Sequence, residues 1–144
     1  MAKDMATLET TYVATWRFAR IAPHKARLVA DLIRGKSVNE AFDLLKFSKK
    51  RAAVMVGKVL KSAVTNADTA QADVNDLFVA KSFCDGGPLI KRMMPKDRGK
   101  SYRILKRTCH ITIGVAPGAA EHQQEAQERK NNKRKSRSAK AKAA

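Results

Sequence analysis

The chain has 144 residues, with 30 Lys and Arg against 13 Asp and Glu, a net charge of +17 and a 44% apolar share. That is the size and apolar content of one folded domain. It excludes a spanning helix, which needs a run of roughly 18 apolar residues; residues 1–10 lack the apolar stretch of a secretory signal; and two cysteines, Cys84 and Cys109, are too few for a disulfide framework or a four-ligand zinc site.

In chain order, residues 1–10 are expected to be a flexible leader. Tyr12, Val13, Trp16, Phe18 and Ile21 make 11–21 a predicted strand. Strand aromatics are more often core, so Trp16 and Phe18 are expected inside, with base stacking as the alternative. Pro23 suits a first helical position, and Ala26, Val29, Leu32 and Ile33 follow at helical spacing until Gly35 stops the helix. Ser37 and Glu40 have the spacing of a capping box, with Val38, Ala41, Phe42 and Leu45 as the apolar face of a short helix ending near Phe47. Ser48 is expected to cap a third, longer helix that buries Ala52, Val56, Val59, Leu60, Ala63 and Ala67 and leaves Lys50, Lys58 and Lys61 outside. Residues 66–76 are polar and hold the helix end and a loop.

The period then changes. Residues 77–84 read as a strand, interrupted by Gly86-Gly87-Pro88 as a bulge or bend would interrupt it. On the return, Leu105, Cys109, Ile111, Ile113 and Val115 alternate with Ile104, Lys106, Thr108, His110 and Thr112, with Arg107 breaking the apolar face. Two strands joined by a charged, glycine-containing turn make a long hairpin over about residues 85–107. Eight residues from Gly87 to about Pro95, at about 3.3 Å each, give it a reach of about 25 Å. The core is expected to use Ala26, Val29, Leu32, Ile33, Phe42, Val56, Leu60, Ile111 and Ile113 and nothing from 91–99. A two-residue Asn-Gly turn should therefore replace 91–99 if the register permits. Beyond Gly118 the chain is a basic, low-complexity tail over 119–144, with a short helix left open near 121–129, and residues 129–142, which lack apolar periodicity, are expected to be disordered when free.

The charge is uneven. Residues 81–107 hold 9 basic and 2 acidic residues, net +7 in 27 positions. A two-stranded ribbon is marginal alone in water, so a partner is expected to hold it, and this charge calls for phosphates. The Gly86-Gly87 pair has neither the spacing nor the Lys-Ser/Thr of a phosphate-binding loop. Cys109 and His110 are adjacent, but strand neighbours point to opposite faces, so a buried thiol beside an outward imidazole is the expectation rather than a nucleophile and base. Asp73 and Asp76 bracket a loop rather than a metal. Met93 and Met94 sit among charges and read as a soft apolar tip that packs on bases or faces a channel.

Taken together, Pro23-His-Lys-Ala-Arg-Leu-Val-Ala-Asp-Leu-Ile-Arg-Gly35, Leu45-Lys-Phe47, Leu60-Lys-Ser-Ala63, Gly87-Pro88, Lys91-Arg92, Met94-Pro95 and Arg103-Ile-Leu-Lys-Arg-Thr-Cys-His-Ile-Thr112 occur in an order that closely resembles the large-subunit ribosomal protein twenty-two family, bacterial type, over about residues 11–116. The resemblance implies an α+β body of three helices packed on a small antiparallel sheet, with a long protruding β-hairpin and, outside the resemblance, the basic tail. It implies a body that binds large-subunit ribosomal RNA, a hairpin whose tip lines the nascent-peptide exit tunnel, and a role in assembly and architecture rather than catalysis. Carried over by position, the RNA-binding residues are His24, Lys25 and Arg27 on the first helix, Lys91, Arg92, Lys96, Arg98 and Lys100 on the arm, and Arg103, Lys106, Arg107 and His110 on the returning strand. The tunnel tip is Met93, Met94, Pro95, Lys96, Asp97, Arg98 and Gly99. No cofactor or metal is implied. The implied partners are ribosomal RNA, neighbouring large-subunit proteins and the nascent polypeptide, without a homo-oligomer, in cytoplasmic ribosomes. The chain departs from the family at Ala22, often Ser; at His24, usually Arg or Lys; at Asp97, in a generally basic or neutral tip; and at Cys109, usually Ser. The competing readings are an architectural protein gripping DNA with a basic arm and a nucleic-acid-processing enzyme, which would need clustered carboxylates or a ligand set.

Overall fold

The computed structural model describes residues 11–118; the predicted leader and tail lie outside them. The elements run β1 (Tyr12–Ala19), α1 (Pro23–Ile33), α2 (Val38–Phe47), α3 (Arg51–Thr69), a short 3-10 turn (Val74–Asp76), β2 (Leu77–Pro95) and β3 (Ser101–Pro117). The fold is α+β. The antiparallel sheet has the order β1-β3-β2, so the last strand lies in the middle.

Helix starts follow local chemistry. Pro23 opens α1 behind Ala22, which offers no side-chain cap, and Gly35 takes a left-handed φ of 72° just past its end. One half of the expected capping box forms: Ser37 Oγ accepts from the Glu40 N–H at 3.4 Å, while the Glu40 carboxylate turns to Lys36 Nζ at 3.5 Å instead of reaching back. Ser48 does not cap α3. It ends α2, donating its N–H to the Leu45 carbonyl, and Lys50 is the residue before α3.

The core lies between the helices and one face of the sheet. Val29, Ile33, Val56, Leu60, Leu77, Val79, Ile111, Ile113 and Val115 are fully buried there. One expected core residue falls outside, Leu32, which is 51% exposed, while Phe42 packs partly buried against the core. At 100° per residue Leu32 sits well to one side of the line through Ala26, Val29 and Ile33. Both Cys84 and Cys109 are buried as free thiols. Burial, with Cys109 adding to it and Arg27 opposing it, pushes the Cys84 thiol up to about 11, and burial likewise raises that of Cys109.

Both outer strands carry bulges against β3. On β2, Gly87 and Pro88 together oppose Thr108, whose hydroxyl donates to the Pro88 carbonyl at 2.7 Å. A Cβ on Gly87 would lie 2.6 Å from Thr108 Oγ1 and 3.2 Å from its carbonyl carbon, so any larger residue there must displace Thr108. On β1, Arg17 and Phe18 together oppose His110, and Ala19 then pairs with Cys109 as the strand ends. Outward of this point β3 keeps only β2 beside it, and the sheet becomes a two-stranded arm.

The arm pairs regularly from Leu89↔Arg107 to Pro95↔Ser101. Its turn places three residues, 97–99, between Lys96 and Lys100, where the Lys96 N–H donates to the Lys100 carbonyl at 2.8 Å; Arg98 and Gly99 take left-handed backbone (φ 57° and 71°), and the Lys100 N–H donates to the Asp97 carbonyl at 3.3 Å. Residues 91–103 are all exposed, and Ile104 alone in 91–105 is partly covered. The register corrects the expected excision: with Lys91 opposite Leu105, removing 91–99 would strip 100–105 of partners, and the matched segment is 91–105. In the body, the outer edge of β2 is covered by the α1–α2 link, through Gly35 N–H to Val79 O and Val79 N–H to Lys36 O, both 2.9 Å.

Candidate nucleic-acid interface

The body and arm meet in an open cleft of about 750 Å³ where the end of β1, the start of α1, the start of α3 and the root of the arm converge. Arg20, His24, Lys25, Arg51, Arg92, Lys106 and Arg107 line it, with Ile21, Ala22, Ile90, Leu105 and Thr108 between them, and among the described residues no carboxylate does. Each arrives for a local reason. Arg20 follows the last residue of β1, His24 and Lys25 stand in the first turn of α1, Arg51 opens α3, and the arm residues flank the Gly87 bulge. Among the described residues the three ion pairs are Asp31–Arg34, Glu40–Lys36 and Asp43–Lys46, all local to α1, α2 and the residues flanking them. Among the described residues the cleft and arm cations therefore form no ion pair, and a polyanion relieves their mutual repulsion.

Of the residues expected to bind RNA, the cleft gathers His24, Lys25, Arg92, Lys106 and Arg107. Sequence reasoning missed Arg20 and Arg51, which lie at element ends and carry no periodic signal. Arg27 is committed elsewhere: its Nε donates to the Cys84 carbonyl at 3.1 Å, tying α1 to β2. His110 is also outside the cleft, and its Nδ1 accepts the Phe18 N–H at 3.0 Å. With Cys109 in the core and His110 bonded to β1, the two make no nucleophile–base pair. Trp16 packs partly buried against the core as expected, whereas Phe18, expected inside, is 55% exposed.

Lys91, Lys96, Arg98, Lys100 and Arg103 are spread along the exposed arm. At its end, Met93 and Met94 are exposed rather than core, and the Lys96 ammonium bonds the Tyr102 hydroxyl and lies 4.4 Å from the centroid of its ring. Tyr102, half-exposed opposite Met94, is a tip residue that the sequence reading did not single out. Asp97 is in the turn itself, held by its carbonyl. Among the described residues, no helix is long and apolar enough to cross a membrane, and no cluster of three His, Cys, Asp or Glu could hold a metal ion.

This arrangement, a compact helix-on-sheet body with a bare basic arm, coincides with the span matched by a family model. Residues 14–116 match ribosomal protein L22p/L17e. The chain belongs to this family. It is a structural protein of the large ribosomal subunit, in keeping with the order of motifs along its body and arm. The L22p/L17e match covers every residue of the cleft and the whole arm, and leaves out the tail beyond residue 118.

Proposed function

We propose that the protein binds large-subunit ribosomal RNA through the cleft and the arm, supports assembly of the subunit in cytoplasmic ribosomes, and sets the arm's tip into the wall of the nascent-peptide exit tunnel. The arm carries this reading. Among the described residues nothing covers the arm from Lys91 to Arg103, and its charges have no ion-pair partner there. A ribbon of this length does not hold its shape alone in water, so its structure is completed by surroundings that carry phosphate. Residues 11–118 act as one RNA-binding domain, with neighbouring large-subunit proteins as further partners. The His24, Lys25, Arg92, Lys106 and Arg107 side chains, joined by Arg20 and Arg51, neutralise phosphates at the body. Lys91, Lys96, Arg98, Lys100 and Arg103 do so along the arm. Met93, Met94 and the Asp97–Gly99 turn face the passing chain.

Photo-crosslinking separates these parts. A photoreactive residue in place of Lys106 should crosslink to ribosomal RNA, and one in place of Met93 should crosslink to the nascent chain in translating ribosomes. Crosslinks from both positions to RNA alone would refute the tunnel assignment. Recovery of the protein with chromosomal DNA instead of large subunits would favour the DNA-gripping alternative.

A further inference from the structure

The bulge at the end of β1 holds a cluster that the cleft does not use. Arg17 and Phe18 together oppose the single residue His110, and Phe18 adopts a left-handed backbone with φ 59°. This conformation is unfavourable for a bulky side chain and easy for glycine or asparagine. Burial does not offset it, since the ring is 55% exposed. The surroundings nevertheless fix it. The Phe18 N–H donates to His110 Nδ1 at 3.0 Å, the imidazole stands at 76° to the ring with centroids 4.9 Å apart, and the Arg17 guanidinium lies 5.5 Å from the ring centroid. Because Nδ1 accepts, the imidazole proton is on Nε2, which remains a donor. Asp85, opposite His110 on β2, makes no ion pair with it. A strained backbone that presents an aromatic ring to solvent, rather than hiding it, marks a site of use.

We infer that Phe18 is a stacking platform for one unstacked base of single-stranded RNA, with Arg17 and the His110 Nε2–H beside it for phosphate and base-edge contacts. An aromatic face next to a guanidinium and a neutral donor is the chemistry by which proteins hold splayed bases. This deepens the RNA-binding reading and rests on it. The surrounding charge points the same way, because Arg20 follows on the same strand end and begins the cleft.

The probe is large-subunit ribosomal RNA freed of protein, mixed with the full chain. Short-wave ultraviolet irradiation and mass spectrometry of the digested complex should find a nucleotide adduct on Phe18. Phe18→Ala should weaken binding by about fivefold to 150-fold, the range for one lost base stack. The slope of log affinity against log salt should stay unchanged, since no phosphate contact is removed. Phe18→Tyr should retain both the adduct and the affinity. Phe18→Gly, which removes the ring and relieves the backbone, should bind as weakly as Phe18→Ala while melting no lower than the unaltered protein. Full affinity in the Ala and Gly variants, or an adduct from Phe18 to a neighbouring protein in intact subunits, would overturn the platform. Absence of salt-dependent RNA binding by the unaltered protein would overturn the RNA-binding reading itself.

Discussion

Excision of residues 91–105, with Ile90 joined to Lys106 through Asn-Gly, should leave the body folded. The register makes this cut clean, because Ile90 and Lys106 face each other. The Lys96 N–H bonds the Lys100 carbonyl, and counting pairs inward by twos makes Ile90 and Lys106 a mutually bonded pair as well, the kind a two-residue turn closes. The stability lost is bounded by what the segment covers. Only Ile104 is partly buried in it. Complete burial of such a side chain is worth about 1.5–3 kcal/mol, so partial cover is worth about 1 kcal/mol. The arm's ladder bonds are open to water, and exchanging them for bonds to water changes little. About 1 kcal/mol corresponds to roughly 4–8 °C in a domain of this size. Thermal melting followed by the helical circular-dichroism signal should therefore show a fall within that range, with the helical amplitude intact. A fall twice as large, or loss of helical signal, would show that the arm supports the body and that the division between them is wrong.

Ile111→Ala empties a fully buried site in the central strand and should cost about 2–5 kcal/mol, read from the denaturant midpoint. Arg20→Ala and Arg51→Ala should each weaken RNA binding and lower the salt slope by about one, whereas Lys46→Ala, on the Asp43-paired flank of α2, should leave the slope unchanged. The Cys84 thiol has a folded-state pKa raised from 9.0 to about 11 by burial. Its contribution is thus fully present below pH 9 and is lost as pH rises towards 11, by up to about 3 kcal/mol. Cys84→Ala should flatten the decline in melting temperature over that window, and an identical decline in both proteins would contradict the buried-thiol account. Gly87→Ala should destabilise by about 1–3 kcal/mol, because its Cβ meets Thr108 backbone as well as the side chain. Adding Thr108→Ala should recover only part of the loss.

Periodic features were readable in the sequence. Val56, Leu60, Ala63 and Ala67 mark one face of α3, and Cys109, Ile111, Ile113 and Val115 mark the inner face of β3, because each pattern repeats with the geometry of its element. Leu32 misled because it is spaced three residues from Val29 yet points away from the line the sheet covers. The hairpin was visible in its charge and in Gly86-Gly87-Pro88, but not its register, which depends on which pairs flank the bulge. The site was legible only where cations cluster along the chain. Arg20 and Arg51 are 31 positions apart and become neighbours through packing of α1 and α3 against the sheet. Phe18 was misplaced because alternation assigns strand residues to faces, and a bulge breaks alternation without a local signal such as glycine.

The α1–α2 link covers the rim of β2 at Phe78, at Val79 and, through Arg34, at the Ser82 carbonyl, Arg27 covers the Cys84 carbonyl, and β1 stops at Ala19, so among the described residues the arm leaves the body with exposed backbone groups on each side. Before a chain reaches its place, those rims are templates on which a second copy could add a strand. The eight Lys and Arg residues between Lys91 and Arg107, with Pro95 among them, make each arm repel another arm. The charge that draws phosphate thus also keeps newly made copies apart. That protection falls as ionic strength rises, so surplus protein is expected to be most prone to self-association in high salt without RNA.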